Sequence, residues 1–393
     1  MVHFANQLHK LAERRASALH RKLSINDAHR SGECVINNRS YLNFSSNDYL
    51  GLAHHPEVIQ AYQRGASEYG VGSGSSPLIT GYQRPHHQLA EQLSDWLGCE
   101  QVMLLSSGFS ANQLVLKTLL AQGDLLLQDK LNHASLIDAG LSSAATMRRF
   151  LHNQPSAVAK FLQRATAENR LVVTEGVFSM DGDQAPLEAI ASLCQQHNAW
   201  LMVDDAHGVG VLGEQGRGSC ALAGICPEIL MATFGKAFGV GGAMVGGSRE
   251  LIDLFTNFGR EYIYSTAMPA AQACAIQASL ALIRQGEYQI RLTNNIQLVK
   301  SLLASTSWSL MPSSTAIQPV WVGSSKTALA LSRKLREKGI WVSAIRPPSV
   351  APGQARLRMT ITAAHQERDI QRLAATLAEL EPYFLPGTAF NEH

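Results

Sequence analysis

No apolar run in the chain approaches the roughly 20 residues that cross a bilayer, which excludes an ordinary membrane-spanning helix. Net charge is nearly absent: a formal +2 over 393 residues gives no reason to expect nucleic acid or a strongly acidic partner. Cysteine is sparse. Cys34, Cys99, Cys194, Cys220, Cys226 and Cys274 include no C-x-x-C pair. In a chain of this size they read as reduced thiols of a cytoplasmic protein, not as a disulfide framework. Metal-ligand spacing is missing too. His54-His55 and His86-His87 are adjacent pairs that cannot point the same way on a helix, so no metal is expected. The first residues, MVHFANQLHKLAERRASALHRKL, contain no apolar core of a secretory leader, and Glu13 with few serines argues against a transit peptide. Phe4, Leu8 and Leu11 share one face, so an amphipathic helix is expected there.

What remains is ordinary globular composition and enough length for two domains with a large core. Cys34-Val-Ile and Tyr41-Leu-Asn-Phe bracket Asn37-Asn38 and predict a small hairpin. His55-Pro56 opens a helix. Gly70-Val-Gly72-Ser-Gly74-Ser-Ser76 is too rich in Gly and Ser for regular structure; it reads equally as a flexible connection or as a loop at a substrate entrance. From Val102 onward short apolar strands alternate with helices. The strands fall at 102–105, 125–128, 147–150, 171–174, 201–203, 229–233 and 242–245. Such strands, apolar throughout, suit a mostly parallel sheet buried on both faces. After about residue 290 the order becomes strand, helix, strand, strand, helix, with one strand expected at Trp341–Ile345. The expected division is an N-terminal arm over 1–40, a large domain over 41–289 and a smaller α+β domain over 290–393.

The chemistry concentrates in two stretches. Leu201-Met-Val-Asp204-Asp205-Ala-His207-Gly is a strand ending in two carboxylates and an imidazole. Thr233-Phe-Gly-Lys236-Ala-Phe-Gly is a strand ending in a hydroxyl and then a lysine between glycines. In α/β proteins ligands bind at the carboxyl ends of strands. Lys236 is the lone charge between Ile229 and Gly247 and needs a partner or a covalent role there. Buried, it would titrate low and serve as a nucleophile. Neighbouring residues on an extended chain face opposite ways, so only one of Asp204 and Asp205 faces the site; Asp204 is taken as that one. Ser106-Ser-Gly108-Phe109-Ser-Ala-Asn112 joins a strand to a helix expected over Leu114–Leu120, the arrangement of an anion site. An acid, a His, a Lys and an anion turn are together the needs of pyridoxal phosphate (PLP).

These stretches, with Thr174-Glu-Gly-Val-Phe-Ser179-Met-Asp-Gly-Asp, Asn43-Phe-Ser-Ser-Asn47-Asp-Tyr-Leu-Gly-Leu, Tyr264-Ser-Thr266-Ala-Met-Pro269 and Ala344-Ile-Arg346-Pro-Pro-Ser349-Val, resemble the α-oxoamine synthase family of fold-type I PLP enzymes. The match runs in order from about residue 40 to residue 365. It implies a large PLP domain, a small C-terminal domain and a homodimer with sites at the subunit interface. It implies Lys236 as the Schiff-base lysine, Asp204 under the ring nitrogen, His207 and Ser179 near the ring hydroxyl, and His133 stacked on the ring face. Gly108, Phe109 and Thr233 would hold the phosphate, with Thr266 from the other subunit. Arg358 would bind the amino-acid carboxylate, Asn47 would lie near the reacting carbonyl, and Arg346 and Ser349 would line the acyl pocket. An N-terminal arginine touches substrate in relatives; Arg21 is its counterpart here, though His20 fits within one residue of register. The stretch at 344–350 is closest to a member that condenses L-alanine with a pimeloyl thioester, delivered by CoA or by an acyl carrier protein. The alternatives are a sibling using glycine and a short acyl-CoA, or a non-catalytic partner subunit, against which the presence of Lys236 speaks. Two departures stand: Ser75-Ser-Pro77 occurs where relatives carry another Gly and a His, and the site turn reads Lys236-Ala-Phe-Gly-Val-Gly-Gly.

Overall fold

The short apolar segments assemble side by side into one seven-stranded sheet. Its order is Gln101–Leu105, Ala243–Gly247, Ile229–Thr233, Trp200–Asp204, Arg170–Glu175, Leu125–Asp129 and Thr146–Phe150. All neighbours are parallel except around Ala243–Gly247, which runs antiparallel to both of its partners. The computed structural model describes residues 4–16, 20–21, 23–28 and 30–384. Alternation along the strands divides their side chains between two cores. Leu127, Val172, Leu201 and Val203 belong to one, and Leu126, Leu171, Val173 and Met202 to the other. The expectation of strands apolar throughout fails at one edge. Thr146–Phe150 carries Arg148 and Arg149, and of its residues only Phe150 is buried. Charge on an exposed edge discourages pairing with another sheet, so the position explains the composition.

Helices cover both faces, and two smaller sheets complete the fold. The hairpin Glu33–Ile36 and Arg39–Asn43 turns at Asn37 and Asn38, both with positive φ (52° and 60°), the geometry in which Asn replaces Gly. The segment expected as one strand at Trp341–Ile345 is two. Ile340–Trp341 pairs in parallel with Arg39–Asn43, while Ser343–Ile345 pairs antiparallel with Ala355–Thr360. Val342, fully buried, marks the point where the chain passes from one sheet to the other. The phosphate-turn helix also departs from expectation: it spans Gly108–Leu119 and begins six residues before Leu114, because Ser107 caps it by accepting the Ser110 N–H at 3.2 Å.

One buried histidine ties these parts together and sets an acid limit on stability. His365 is 4% exposed and stacks on Phe44 with centroids 4.2 Å apart. Its Nδ1 accepts the Thr362 N–H at 3.0 Å and its Nε2 lies 3.1 Å from the Asn43 carbonyl. Burial lowers its pKa from 6.5 to about 4. A depressed histidine contributes stability that is present above its unfolded pKa and lost as pH falls through the folded one. Chemical denaturation is therefore expected to show about 3 kcal/mol lost from this group between neutral pH and pH 4. His365→Gln should flatten that part of the profile, and an unchanged profile would refute the assignment.

Candidate active site

A cleft of about 340 Å³ opens at the carboxyl ends of the central strands. Asn47, Gly108, Phe109, His133, Asp204, His207, Thr233 and Lys236, all expected there, line it. The chain builds each wall locally. Beyond Thr233, Phe234 and Phe238 are fully buried and pack edge to face at 5.1 Å. Just past them the Gly239 N–H donates to the Lys236 carbonyl at 2.9 Å and closes a turn that leaves Lys236 at the cleft. Gly239 has φ +67°, and a Cβ there would lie 2.2 Å from the Ala53 backbone nitrogen, so no other residue fits the turn unshifted.

Across the cleft, the two aspartates part company. Asp204 Oδ2 accepts the Asn112 side-chain N–H at 2.8 Å, and its Oδ1 accepts the Ala206 N–H at 3.1 Å. Asp205 turns away. It accepts both the backbone N–H and the hydroxyl of Ser219, at 2.7 and 2.6 Å, in a cradle where Gly176, Gly208 and Gly218 make room for it. Burial pushes the Asp205 carboxyl up to about 7. Asn112 stood at the end of the anion turn in the sequence without a role of its own; a polar residue amid Ala111, Leu114 and Val115 on a buried helix face was the available signal.

Burial works against positive charge on the basic groups of the cleft. Burial lowers the Lys236 amine below its usual range, and the Asp204 and Glu175 carboxyls oppose the shift only in part. His207 is buried and held well below 6.5, chiefly by burial and then by Lys236. Its Nδ1 lies 2.5 Å from the Tyr49 hydroxyl. His133 caps the helix Ala134–Ser142, its Nδ1 2.8 Å from the Ser135 hydroxyl, and burial lowers its pKa as well. Glu175, within a quoted motif but given no role there, lines the cleft, and burial raises its carboxyl well above the ordinary range.

Three polar atoms of the cleft residues are buried without a partner among the described residues: Thr233 Oγ1, Asn112 Oδ1 and Glu175 Oε1. Buried polar atoms without partners point to a missing polar ligand. Thr233 Oγ1 sits beside the first turn of Gly108–Leu119, whose leading N–H groups have no acceptor within the helix. A Cβ on Gly108 would approach Thr233 Cγ2 to 2.6 Å, so the turn stays open only for glycine. This corner suits a phosphate and the Lys236–Asp204 side suits a ring with a basic nitrogen, so the residues present fit PLP.

The remaining expected residues divide. Arg358 is buried behind Asn47. It donates from Nε to the Ser179 carbonyl at 2.6 Å, from Nη1 to Thr360 Oγ1 at 3.0 Å and from Nη2 to Asn47 Oδ1 at 3.2 Å. Ser179 thus meets the site through its carbonyl, and its side chain is not part of the cleft lining. Arg21, Arg346 and Ser349 come together in a second, smaller cleft of about 160 Å³, joined by Arg14, which the sequence reading did not single out. Thr266 is exposed and lies outside both linings.

Comparison with known proteins agrees with this geometry. Residues 39–377 match the family described as aminotransferase class I and II. The 8-amino-7-oxononanoate synthase of Pectobacterium atrosepticum is 54% identical over 349 residues, covering 88% of this chain and 91% of that protein. Among solved structures, serine palmitoyltransferase of Sphingomonas wittichii superposes with a TM-score of 0.92 at 28% identity, covering 98% of this chain and 99% of that one. A structure of SPT solved with PLP reaches 0.91 at 26% identity, covering 97% and 98% of the two chains. No described helix is long and apolar enough to cross a membrane. The chain belongs to the class I and II aminotransferase family and, within it, to the α-oxoamine synthases, and it is a PLP-dependent acyltransferase.

Proposed function

We propose that the protein condenses L-alanine with a pimeloyl thioester, releasing CO2 and the thiol and forming 8-amino-7-oxononanoate for biotin synthesis. The observation that carries the substrate assignment is the 54% identity, over 88% of the chain, to a relative named for that product. When bound, PLP supplies the electron sink that makes the α-proton of an amino acid removable. The residues of the chain do the rest. Thr233 and the first turn at Gly108 and Phe109 hold the phosphate. Asp204, fixed by Asn112 and the Ala206 N–H, presents its carboxylate to a protonated ring nitrogen. Lys236, whose amine burial makes easier to deprotonate than a solvated lysine, is the group that takes up a proton at Nζ. His133 and His207 stay neutral and add no charge above the site. Arg358, held by Ser179, Thr360 and Asn47, offers its guanidinium to the carboxylate of alanine. The cleft of Arg21, Arg346 and Ser349 receives the acyl substrate. Residues 41–289 act as the cofactor-binding unit and 290–393 as the smaller unit. A second copy of the chain completes the site with its Thr266; exposed Phe109 and Tyr264, 50% and 71% accessible, favour that packing.

The test is product formation from L-alanine with pimeloyl-CoA against glycine with acetyl-CoA, followed by mass spectrometry. Product from the second pair alone would overturn the substrate assignment. A narrower test addresses the phosphate corner. Thr233→Val removes the unpartnered hydroxyl and is expected to weaken PLP binding about fivefold, the value of one hydrogen bond of about 1 kcal/mol. Fluorescence titration of the cofactor-free protein reads it, and unchanged affinity would remove Thr233 from the phosphate site.

A further inference from the structure

A second cluster of titratable groups lies beside the cleft, at the carboxyl ends of the next strands, and nothing in the function above uses it. His152, just after the edge strand Thr146–Phe150, spans two carboxylates. Its Nδ1 lies 3.0 Å from Asp129 Oδ1 and its Nε2 2.7 Å from Asp183 Oδ2. The ring stands edge-on to Phe178 at 4.4 Å. With an acceptor at each nitrogen, both nitrogens must carry protons, so the ring is an imidazolium. The two carboxylates hold that charge against burial, raising the pKa to about 10.

Each carboxylate governs a different wall of the site. Asp129 ends the strand Leu125–Asp129, and its Oδ1 also accepts the Leu131 N–H at 2.8 Å, fixing the turn that leads to His133. Asp183 lies in the loop after Arg170–Glu175. That loop is closed on itself by the Phe178 N–H to the Asp183 carbonyl at 3.0 Å and the Gly182 N–H to the Phe178 carbonyl at 2.8 Å. On its far side the same loop carries the Ser179 carbonyl that receives Arg358 Nε, and Asp181, which pairs with Arg356. The Asn153 side-chain N–H also donates to Asp183 Oδ2, at 2.7 Å, but brings no charge.

We infer that His152 is a positioning residue for amino-acid binding: as a cation between Asp129 and Asp183 it locks the His133 turn to the Ser179–Asp183 loop, and through Ser179 it sets the Arg358 guanidinium that grips the substrate carboxylate. The inference rests on Arg358 being that grip. It predicts a loss in binding, not in chemistry, because Lys236, Asp204 and the phosphate corner stand on other strands, and His133 keeps its Ser135 contact and its turn the Leu131 N–H bond to Asp129 when His152 is replaced.

The test is the L-alanine dissociation constant of the PLP-loaded enzyme, read from the absorbance of the cofactor, for His152→Gln and His152→Phe. Both are expected to bind L-alanine about tenfold more weakly, as misplacement of a binding group allows. PLP affinity and kcat at saturating alanine should stay within about threefold of the unsubstituted enzyme. Lowered melting temperature alone would accompany any structural role and does not enter the decision. Should neither variant fold, Asp183→Asn, which keeps an acceptor and the side-chain shape but removes one charge, is expected to show the same loss. Unchanged alanine affinity in a folded variant, or a fall in kcat with affinity intact, would overturn the inference. An unsubstituted enzyme that binds glycine and not L-alanine would overturn the substrate assignment instead. The same ratio would then be measured with glycine, whose carboxylate Arg358 meets equally.

Discussion

Lys236→Ala is expected to lower kcat by at least about 10³-fold, more than 4 kcal/mol of transition-state stabilisation. The reasoning starts from the surroundings of the amine. Lys236 lies in a cleft with Asp204 and Glu175, both buried, and burial still lowers its pKa despite those carboxyls. An amine so placed loses its proton more readily than a solvated lysine, which suits it to act as nucleophile and as proton acceptor. No other described cleft residue duplicates it: His133 and His207 are anchored through their Nδ1 atoms by Ser135 and Tyr49. Alanine at 236 leaves Phe234, Ala237 and Phe238 in the core and the Gly239 turn intact, so the variant should fold. Two readouts separate a lost catalytic group from a lost fold. Borohydride treatment of the PLP-loaded enzyme should fix the cofactor mass to the peptide containing Lys236 and to nothing in the variant. Far-ultraviolet circular dichroism should be unchanged. A variant retaining a tenth of the activity would remove Lys236 from the chemistry.

The parts of this site that were legible in the sequence are those that depend on neighbours along the chain. Lys236 announced itself as a lone charge in an apolar stretch, and Gly108 as a turn between strand and helix. The sheet was legible for the same reason, since its strands are short apolar runs between turn formers. What stayed hidden depends on residues far apart. Asn112 holds Asp204 across 92 positions, Tyr49 meets His207 across 158, and Arg358 reaches the Ser179 carbonyl across 179. Spacing carries no trace of such pairs. The break at Val342 was hidden too, because a strand that changes sheets keeps its apolar pattern while its partners change. Arg14 was passed over as one charge among several on a polar helix face, and only the fold brings it to Arg21 and Arg346.

Asp204 and Asp205 give the sharpest test, because adjacent identical residues should fail in opposite ways. Asp204→Asn is expected to lower kcat by about 10³-fold while the protein stays folded. The amide keeps the size of the carboxylate, and the Asn112 amide can turn its unpartnered Oδ1 toward the new N–H, so the hydrogen bonding adapts. Only the negative charge disappears, and with it the favouring of a protonated ring nitrogen. Asp205→Asn should leave kcat within about threefold, since its oxygens face Ser219 and not the cleft. Its effect belongs to stability. Burial raises the Asp205 carboxyl to about 7, above its unfolded value of 3.8. A group raised in this way contributes stability that is full below the unfolded pKa and lost as pH rises through the folded one. Asparagine does not titrate, so relative to the unsubstituted protein the variant should gain stability between pH 5 and pH 8. Denaturant titration at those two values measures the sign. If Asp205→Asn silenced the enzyme and Asp204→Asn did not, the carboxylate facing the cofactor would be the other one, and the geometry of the cleft would have to be redrawn around it.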